Sequence, residues 1–418
     1  MSQKVFLGFV DIAGQLGDFS EAYKRLGKKT YVVVWNKNDF YPQRKYDLVL
    51  NEKYPKILLN PKLWIIRKFF TALFFKPYFY FFMVRAAIKF DVFHFMWYTD
   101  KSNVFFLYLI KMLGKKSLIT FVGSDVRWVP TWLEELKMRG LDHFDEDIAI
   151  KSTLEQKIDL DKTLKYIRLF EKNVSMVISH PEQAQLQLRP YTNFYLPLEL
   201  KHIKQPTRKN GAITVALGIR DENFKGGRKI HQMLEEYSKR EDAVKFELIV
   251  LENLTHEKVL EVLAKSHIFI YSPYVGSAGK FGHEAVASGA VALVSYDPSW
   301  FTLPPDPPFV PITEATLIEK LDHFLRNQEE REAISKKGIE WAKKWTDIDW
   351  ITADILDKLE NNREPDYYPQ YFRQHATFKS KWDSPDSLAV ANKWTRYVSN
   401  TDWYKKYIKS GNREGLEF

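Results

Sequence analysis

Two rounds of strand–helix alternation, separated by a stretch that fits neither, constrain this 418-residue chain more than any other feature. In the first round, apolar runs at 5–10, 30–35, 91–96, 117–122 and 174–179 read as buried strands. Helical spacing occupies 18–26, the region around 104–113, 163–172 and 181–188. Strands buried on both faces and joined through helices form a parallel sheet covered on both sides. Residues 196–211, LPLELKHIKQPTRKNG, contain two prolines, a glycine and a basic run, with no periodicity. The pattern then restarts, with strands at 213–217, 245–251, 268–271 and 290–295 and helices at 228–239, 255–264 and 280–288.

The expected fold is therefore α/β, with two Rossmann-like domains at 1–200 and 201–345 facing across a ligand cleft at the carboxyl ends of their strands. A C-terminal extension at 346–418 follows, helical at first and then a tail with twelve aromatics in residues 363–418. Such a tail is too aromatic to stay solvated and is expected to pack back on the first domain.

Cysteine is absent, which excludes disulfides, thiolate catalysis and Cys-ligated metals. The net charge of +9, from 62 basic and 53 acidic residues, is not spread along the chain. Lys53, Lys56, Lys62, Arg67, Lys68, Lys76, Arg85 and Lys89 fall within 38 residues that hold no acid. The richest apolar run, 69–84, carries Lys76 and Pro77 and falls short of the ~20 clean residues of a membrane span. The first ten residues do not read as a signal peptide, so the cytoplasm is the expected location.

The stretch most able to carry chemistry is 272–295, SPYVGSAGKFGHEAVASGAVALVS. Gly276, Gly279 and Gly282 lead into a helix beginning near Lys280 and Phe281, with Glu284 about one turn in. Backbone N–H groups at such a helix start suit a phosphate, and the carboxylate could accept from ribose hydroxyls. Taken alone, the stretch is equally a Gly-rich strand-to-helix turn with an acid that complements the dipole.

Together with its surroundings, the stretch resembles the retaining GT-B-fold glycosyltransferases, in particular the family-four group (glycosyl transferases group 1). The matching residues are Glu284-Ala285-Val286-Ala287-Ser288-Gly289, Arg220 with Phe224-Lys225-Gly226, the loop of Gly14 and Gly17, Asp91–His94, and Gly123-Ser124-Asp125-Val126-Arg127. The resemblance covers roughly residues 4–345. It implies transfer of a sugar, with retention and without a metal, from a nucleotide-diphosphate donor, UDP- or GDP-linked, to a glycan or lipid-linked acceptor. Arg220 and Lys225 would stabilise the departing diphosphate and Glu284 would hold the ribose. Gly276, Gly279, Lys280 and Phe281 would complete the donor site. Gly14, Gln15, Gly123, Ser124 and Arg127 would face the acceptor, with Asp125 or His94 at the reacting end.

Two positions depart from the family pattern. Gly276 stands where a second carboxylate is usual, and Val122 where a histidine often precedes Gly-Ser-Asp. They keep open a non-catalytic carbohydrate-binding protein and a nucleotide-sugar epimerase as alternatives. Three Asp-x-Asp/Glu-rich sites, at 145–147, 159–161 and 347–349, sit in helix-start contexts and read as caps, so no metal or other cofactor is expected.

Residues 61–90 combine eleven aromatics with six basic groups. Phe74, Phe75, Tyr78, Phe79, Tyr80, Phe81 and Phe82 go nearly all round a helix. Either the helix is buried and its charges snorkel, or one side faces an anionic lipid surface. Nucleic acid is not an expected partner, because no recognition motif accompanies the charge.

Overall fold

The computed structural model describes residues 2–55, 57, 60–97, 104–138, 140–141, 146–208, 211–218, 226–296, 304–369 and 385–409. The first domain holds β1 (Lys4–Phe9), α1 (Gln15–Arg25), β2 (Lys29–Val34), β3 (Leu48–Val49), α2 (Trp64–Phe70) and α3 (Lys76–Lys89). It continues through β4 (Val92–Met96), α4 (Val104–Met112), β5 (Lys116–Thr120), α5 (Val129–Met138), α6 (Glu146–Asn173), β6 (Met176–Ser179) and β7 (Thr192–Asn193). Its seven strands are parallel in the order β3-β2-β1-β4-β5-β6-β7. The chain reverses direction across the sheet between β1 and β4.

Pleat alternation sorts the strand residues into two cores. Val5 and Leu7 of β1 join Leu16, Phe19 and Tyr23 of α1 on one face. Phe6 joins Phe79, Met83 and Ala86 of α3 on the other, with Leu164 and Ile167 of α6, and Phe9 at the end of the strand leaves the alternation to join the same cluster.

The second domain holds β8 (Ile213–Leu217), α7 (Gly227–Ser238), β9 (Phe246–Val250), α8 (His256–Lys265), β10 (Ile268–Ile270), α9 (Gly279–Ala287), β11 (Val291–Val294), β12 (Val310–Pro311), α10 (Leu317–Arg326) and α11 (Gln328–Trp345). Its parallel sheet has the order β12-β11-β10-β8-β9, with the reversal between β8 and β10. The carboxyl ends of strands at such reversals are where open α/β sheets bind ligands.

After α11 the chain returns to the first domain. Ile351, Ile355 and Leu359 of α12 (Ile348–Asn361) enter the core beside α1. Arg25 there donates from Nε to both oxygens of Asp349 at 2.8 Å. The two crossings between domains touch each other. Leu198 N–H donates to the Thr346 carbonyl at 2.7 Å, and Ile348 N–H donates to the Leu198 carbonyl at 3.1 Å. A further helix, α13 (Pro385–Val398), lies on α6, with Trp394 donating to Asp161 at 2.8 Å.

Two sequence expectations change. Residues 181–188 are not a helix but a single 3-10 turn, Pro181–Gln183, followed by a buried loop. The amides of its glutamines replace the helical ladder: Gln183 donates to the Phe121 carbonyl at 2.9 Å and Gln185 to the Glu182 carbonyl at 2.8 Å. The segment 61–90 also divides in two: α2 buries none of its side chains, whereas α3 buries Phe79, Met83, Ala86 and Ala87. Phe75, Phe79, Met83 and Ala86 point inward, while Phe74, Tyr78, Phe81 and Ile88 form a second apolar stripe outside. The aromatics go all round because the two sides meet different surroundings.

Candidate active site between the two sheets

A cleft of ≈ 450 Å³ opens where the two reversal points face each other. Its first-domain wall comes from the loops after β1, β4, β5 and β6, and its second-domain wall from the loop after β10 and the start of α9. Left-handed backbone concentrates in these loops. Ala13 (φ 53°) and Trp97 (φ 57°) adopt it without being glycine. Each such position costs about 1–3 kcal/mol and persists where surrounding structure imposes it. Gly14 (φ 72°) has a second reason to lack a side chain, since a Cβ there would lie 2.5 Å from the Tyr41 ring.

Gln15, Gly123, Ser124, Arg127, Gly279 and Lys280 line the cleft, so the structure brings together residues from both halves of the sequence pattern. Gly276 (φ 61°) bends the loop that leads to the α9 start, and Phe281 packs edge-on against Tyr271 at 6.4 Å. Arg220 and Lys225 lie outside the described residues, although the neighbouring Gly226 is described and left-handed (φ 67°).

Lys280 spans the domains. Its buried ammonium donates to the Ala13 carbonyl at 2.7 Å and to Asp18 at 3.2 Å, and lies 3.8 Å from Glu284. Burial alone would lower its pKa. The charges of Asp18, Tyr41 and Glu284 more than offset that and hold it above its ordinary value. Asp18 also receives Arg44, and Tyr41 stacks on His256 at 4.6 Å.

Glu284 sits behind this bridge, 1 % exposed rather than open to the cleft. One of its oxygens is 2.7 Å from His256 Nε2, and Oε2 has no hydrogen-bond partner among the described residues.

Asp125 and His94 do not reach the cleft wall. Asp125 is wholly buried and accepts from the N–H groups of Gly123 (2.8 Å) and Val122 (3.2 Å), so it shapes the loop that Gly123 and Ser124 present. Burial pushes its carboxyl up to about 7 against those backbone donors. His94 is in the core of β4, 2.8 Å from Thr120 Oγ1 and 3.2 Å from the Tyr23 hydroxyl. Burial lowers its pKa to about 3.

The His94 shift gives a testable pH dependence. Below the ordinary value of 6.5 the unfolded chain takes a proton that the folded imidazole refuses, so His94 costs stability as pH falls. Each pH unit is worth about 1.4 kcal/mol. Relative to the wild type, His94→Gln should gain about 2 kcal/mol on going from about pH 7 to about pH 5, read by urea denaturation.

The sequence reading missed the contribution of the loop after β6. His180 and Glu182 line the cleft; burial lowers the imidazole to about 3 and raises the carboxyl to about 7. Gln15 Oε1, Arg127 Nε, His180 Nε2 and Glu182 Oε2 all lack hydrogen-bond partners among the described residues. Four residues that line one cleft thus each bury a polar atom that no described residue satisfies. The signal was available in Ser179-His180-Pro181-Glu182, polar residues at the carboxyl end of a buried strand.

The Asp-x-Asp sites do not gather. Asp347 caps α12 by accepting from Asp349 N–H at 3.0 Å, Asp349 pairs with Arg25, and Asp161 receives Lys393 and Trp394. Residue 145 lies outside the described residues. No group of three or more His, Asp or Glu suited to a metal ion occurs among the described residues.

No family model matches the chain, and no curated protein matches it in sequence. Solved structures do. Sucrose-phosphate synthase from Thermosynechococcus elongatus superposes over 86 % of this chain and 100 % of its own, at 13 % identity and a TM-score of 0.50. A glycosyltransferase from Rickettsia africae matches 86 % of this chain and 98 % of its own, at 10 % identity and a TM-score of 0.47. Two parallel α/β domains facing across a cleft, the GT-B fold, are thus shared with that synthase.

Proposed function

We propose that this chain transfers a sugar from a nucleotide-diphosphate donor, UDP- or GDP-linked, to an acceptor hydroxyl with retention at the anomeric carbon. The observation that carries the reading is that Gln15, Arg127, His180 and Glu182, each with a buried polar atom lacking a partner among the described residues, line the cleft that the α9 start enters. Sugar transfer builds negative charge on the departing diphosphate and positive charge on the anomeric carbon. The α9 N-terminus, Arg220 and Lys225 stabilise the first, with no divalent ion in the scheme. Once the Lys280 bridge in front of it parts, Glu284 Oε2 accepts from a ribose hydroxyl. Gln15 and Glu182 accept from acceptor hydroxyls, and Arg127 and His180 donate. In this reading the acceptor attacks on the face the diphosphate leaves, through an oxocarbenium-like state.

Thermal shift against UDP-, GDP-, ADP- and TDP-sugars identifies the donor, and product formation with candidate acceptors tests transfer. Lys225→Ala and Arg220→Ala should each cut turnover by about 10²–10³-fold. Unchanged turnover in both variants removes the assignment. Gly276 and Val122, which take the places of two polar groups in the resemblance, favour a second reading as a carbohydrate-binding protein. That reading is supported if no nucleotide sugar stabilises the chain while an acceptor glycan does. Product formed without any acceptor would identify an epimerase instead.

A further inference from the structure

The outer stripe of the α2–α3 arm is not explained by sugar transfer alone. Phe69, Leu73, Phe74 and Phe81 are 65, 66, 63 and 63 % exposed, and Trp64, Ile65, Ile66 and Ile88 are exposed with them. A run of large apolar side chains held in water along one helical arm marks an interaction surface. Its charge identifies the kind of partner. Residues 53–90 contribute eight cations and no acid. Arg67, Lys68, Lys76 and Arg85 make no ion pair among the described residues. Instead, Lys68 lies 4.4 Å from the Trp64 ring centroid, Arg67 5.4 Å from Tyr54 and Arg85 5.6 Å from Phe81. Interleaved Phe, Trp, Ile, Lys and Arg without acids is the composition of a helix lying in the headgroup layer of an anionic bilayer.

No helix among the described residues is long and apolar enough to cross a membrane, so the contact is a surface one. The position of the arm bears on chemistry. Its inward side packs at Phe75 and Phe79 against Trp35, at 6.1 and 5.4 Å, and Trp35 directly follows β2. Because the strands are parallel, that is the carboxyl-end edge of the sheet, the edge on which the cleft opens.

We propose that the exposed face of α2, the π-helical turn Thr71–Phe75 and α3 docks on an anionic lipid bilayer, holding the cleft edge toward the membrane. With the proposed transferase activity, on which this last step rests, the acceptor is then a lipid-linked molecule. Docking itself needs no donor or acceptor, so it is measured separately.

The full-length chain is sedimented with vesicles of phosphatidylcholine and with an equal-part mixture of phosphatidylcholine and phosphatidylglycerol. Binding to the mixture, weakened by salt and much lower on phosphatidylcholine alone, is expected. The triple variant Arg67→Glu, Lys68→Glu, Lys76→Glu should bind the mixture at least about tenfold less. Phe69→Ser with Phe74→Ser should lower binding at every salt concentration, since insertion of apolar side chains is not screened. All five positions are at least partly exposed, so an unchanged melting temperature confirms that both variants fold. Wild-type protein that stays in the supernatant overturns the proposal. So does binding by both variants as strong as the wild type's, or a dimer dissolved by the Phe variant in a chain that ignores vesicles. Vesicle binding by a chain that transfers no sugar keeps the docking face and overturns the transferase reading alone.

Discussion

Lys280→Met should lower the unfolding free energy by about 3–5 kcal/mol, one of the largest effects expected for a single side chain here. Methionine matches most of the aliphatic length, so little volume is lost. What is lost is the cation that sits between Asp18 of one domain and Glu284 of the other. Both carboxylates are almost fully buried, and removing one partner of a buried pair leaves the other charge uncompensated. Arg44 retains a hold on Asp18, and His256 on Glu284, which keeps the estimate from going higher. Urea denaturation measures the loss. Because the bridge joins two domains, the variant should also split one transition into two. Adding Asp18→Asn should restore part of the stability, and additivity of the two changes would show that the pair is not coupled.

Glu284→Gln tests the proposed donor site. The amide keeps the shape and one contact to His256, but loses the negative charge that the ribose hydroxyls would meet. A hydrogen bond to a charged group contributes about 1.5–3 kcal/mol, so kcat/KM for the nucleotide sugar should fall by about 10- to 100-fold. The fall should appear as weakened donor binding in thermal shift, with the acceptor dependence unchanged. A variant as active as the wild type removes Glu284 from donor recognition and leaves it as part of the bridge behind Tyr41.

The sheet order follows from residues that had little choice. Phe93, His94 and Phe95 are buried whichever way they point, and only a central parallel strand accepts such a run. Two-residue strands such as β3, β7 and β12 carry no period and were not legible. The false helix at 181–188 has a physical cause. Three glutamines at alternate positions hold helical propensity in isolation, and only the fold supplies the Phe121 carbonyl and the Glu135 carboxylate that accept from Gln183 and Gln185.

The site was half legible for a related reason. Gly276 to Glu284 is a local motif, and its helix start is visible in nine residues. Lys280 with Asp18, by contrast, joins positions 262 residues apart. Nothing in the local sequence of His180 and Glu182 says that β6 ends on the cleft. His94, read as a candidate for the reacting end, stands one strand residue pair too deep, between Tyr23 and Thr120.

The paired crossings at Leu198 and Thr346–Ile348 have a mechanical consequence. A single linker would act as a swivel, leaving the second domain free to turn in any direction. Two chain segments, hydrogen-bonded side by side, act as the two leaves of a door hinge and allow easy rotation about one axis only. Any parting of the two domains must break the Lys280–Ala13 and Tyr41–His256 contacts beside Glu284, while α12 packs on α1 within the first domain. Proteolytic nicking of the loop at 203–208 would leave the second leaf in place, so the halves should remain joined and aligned.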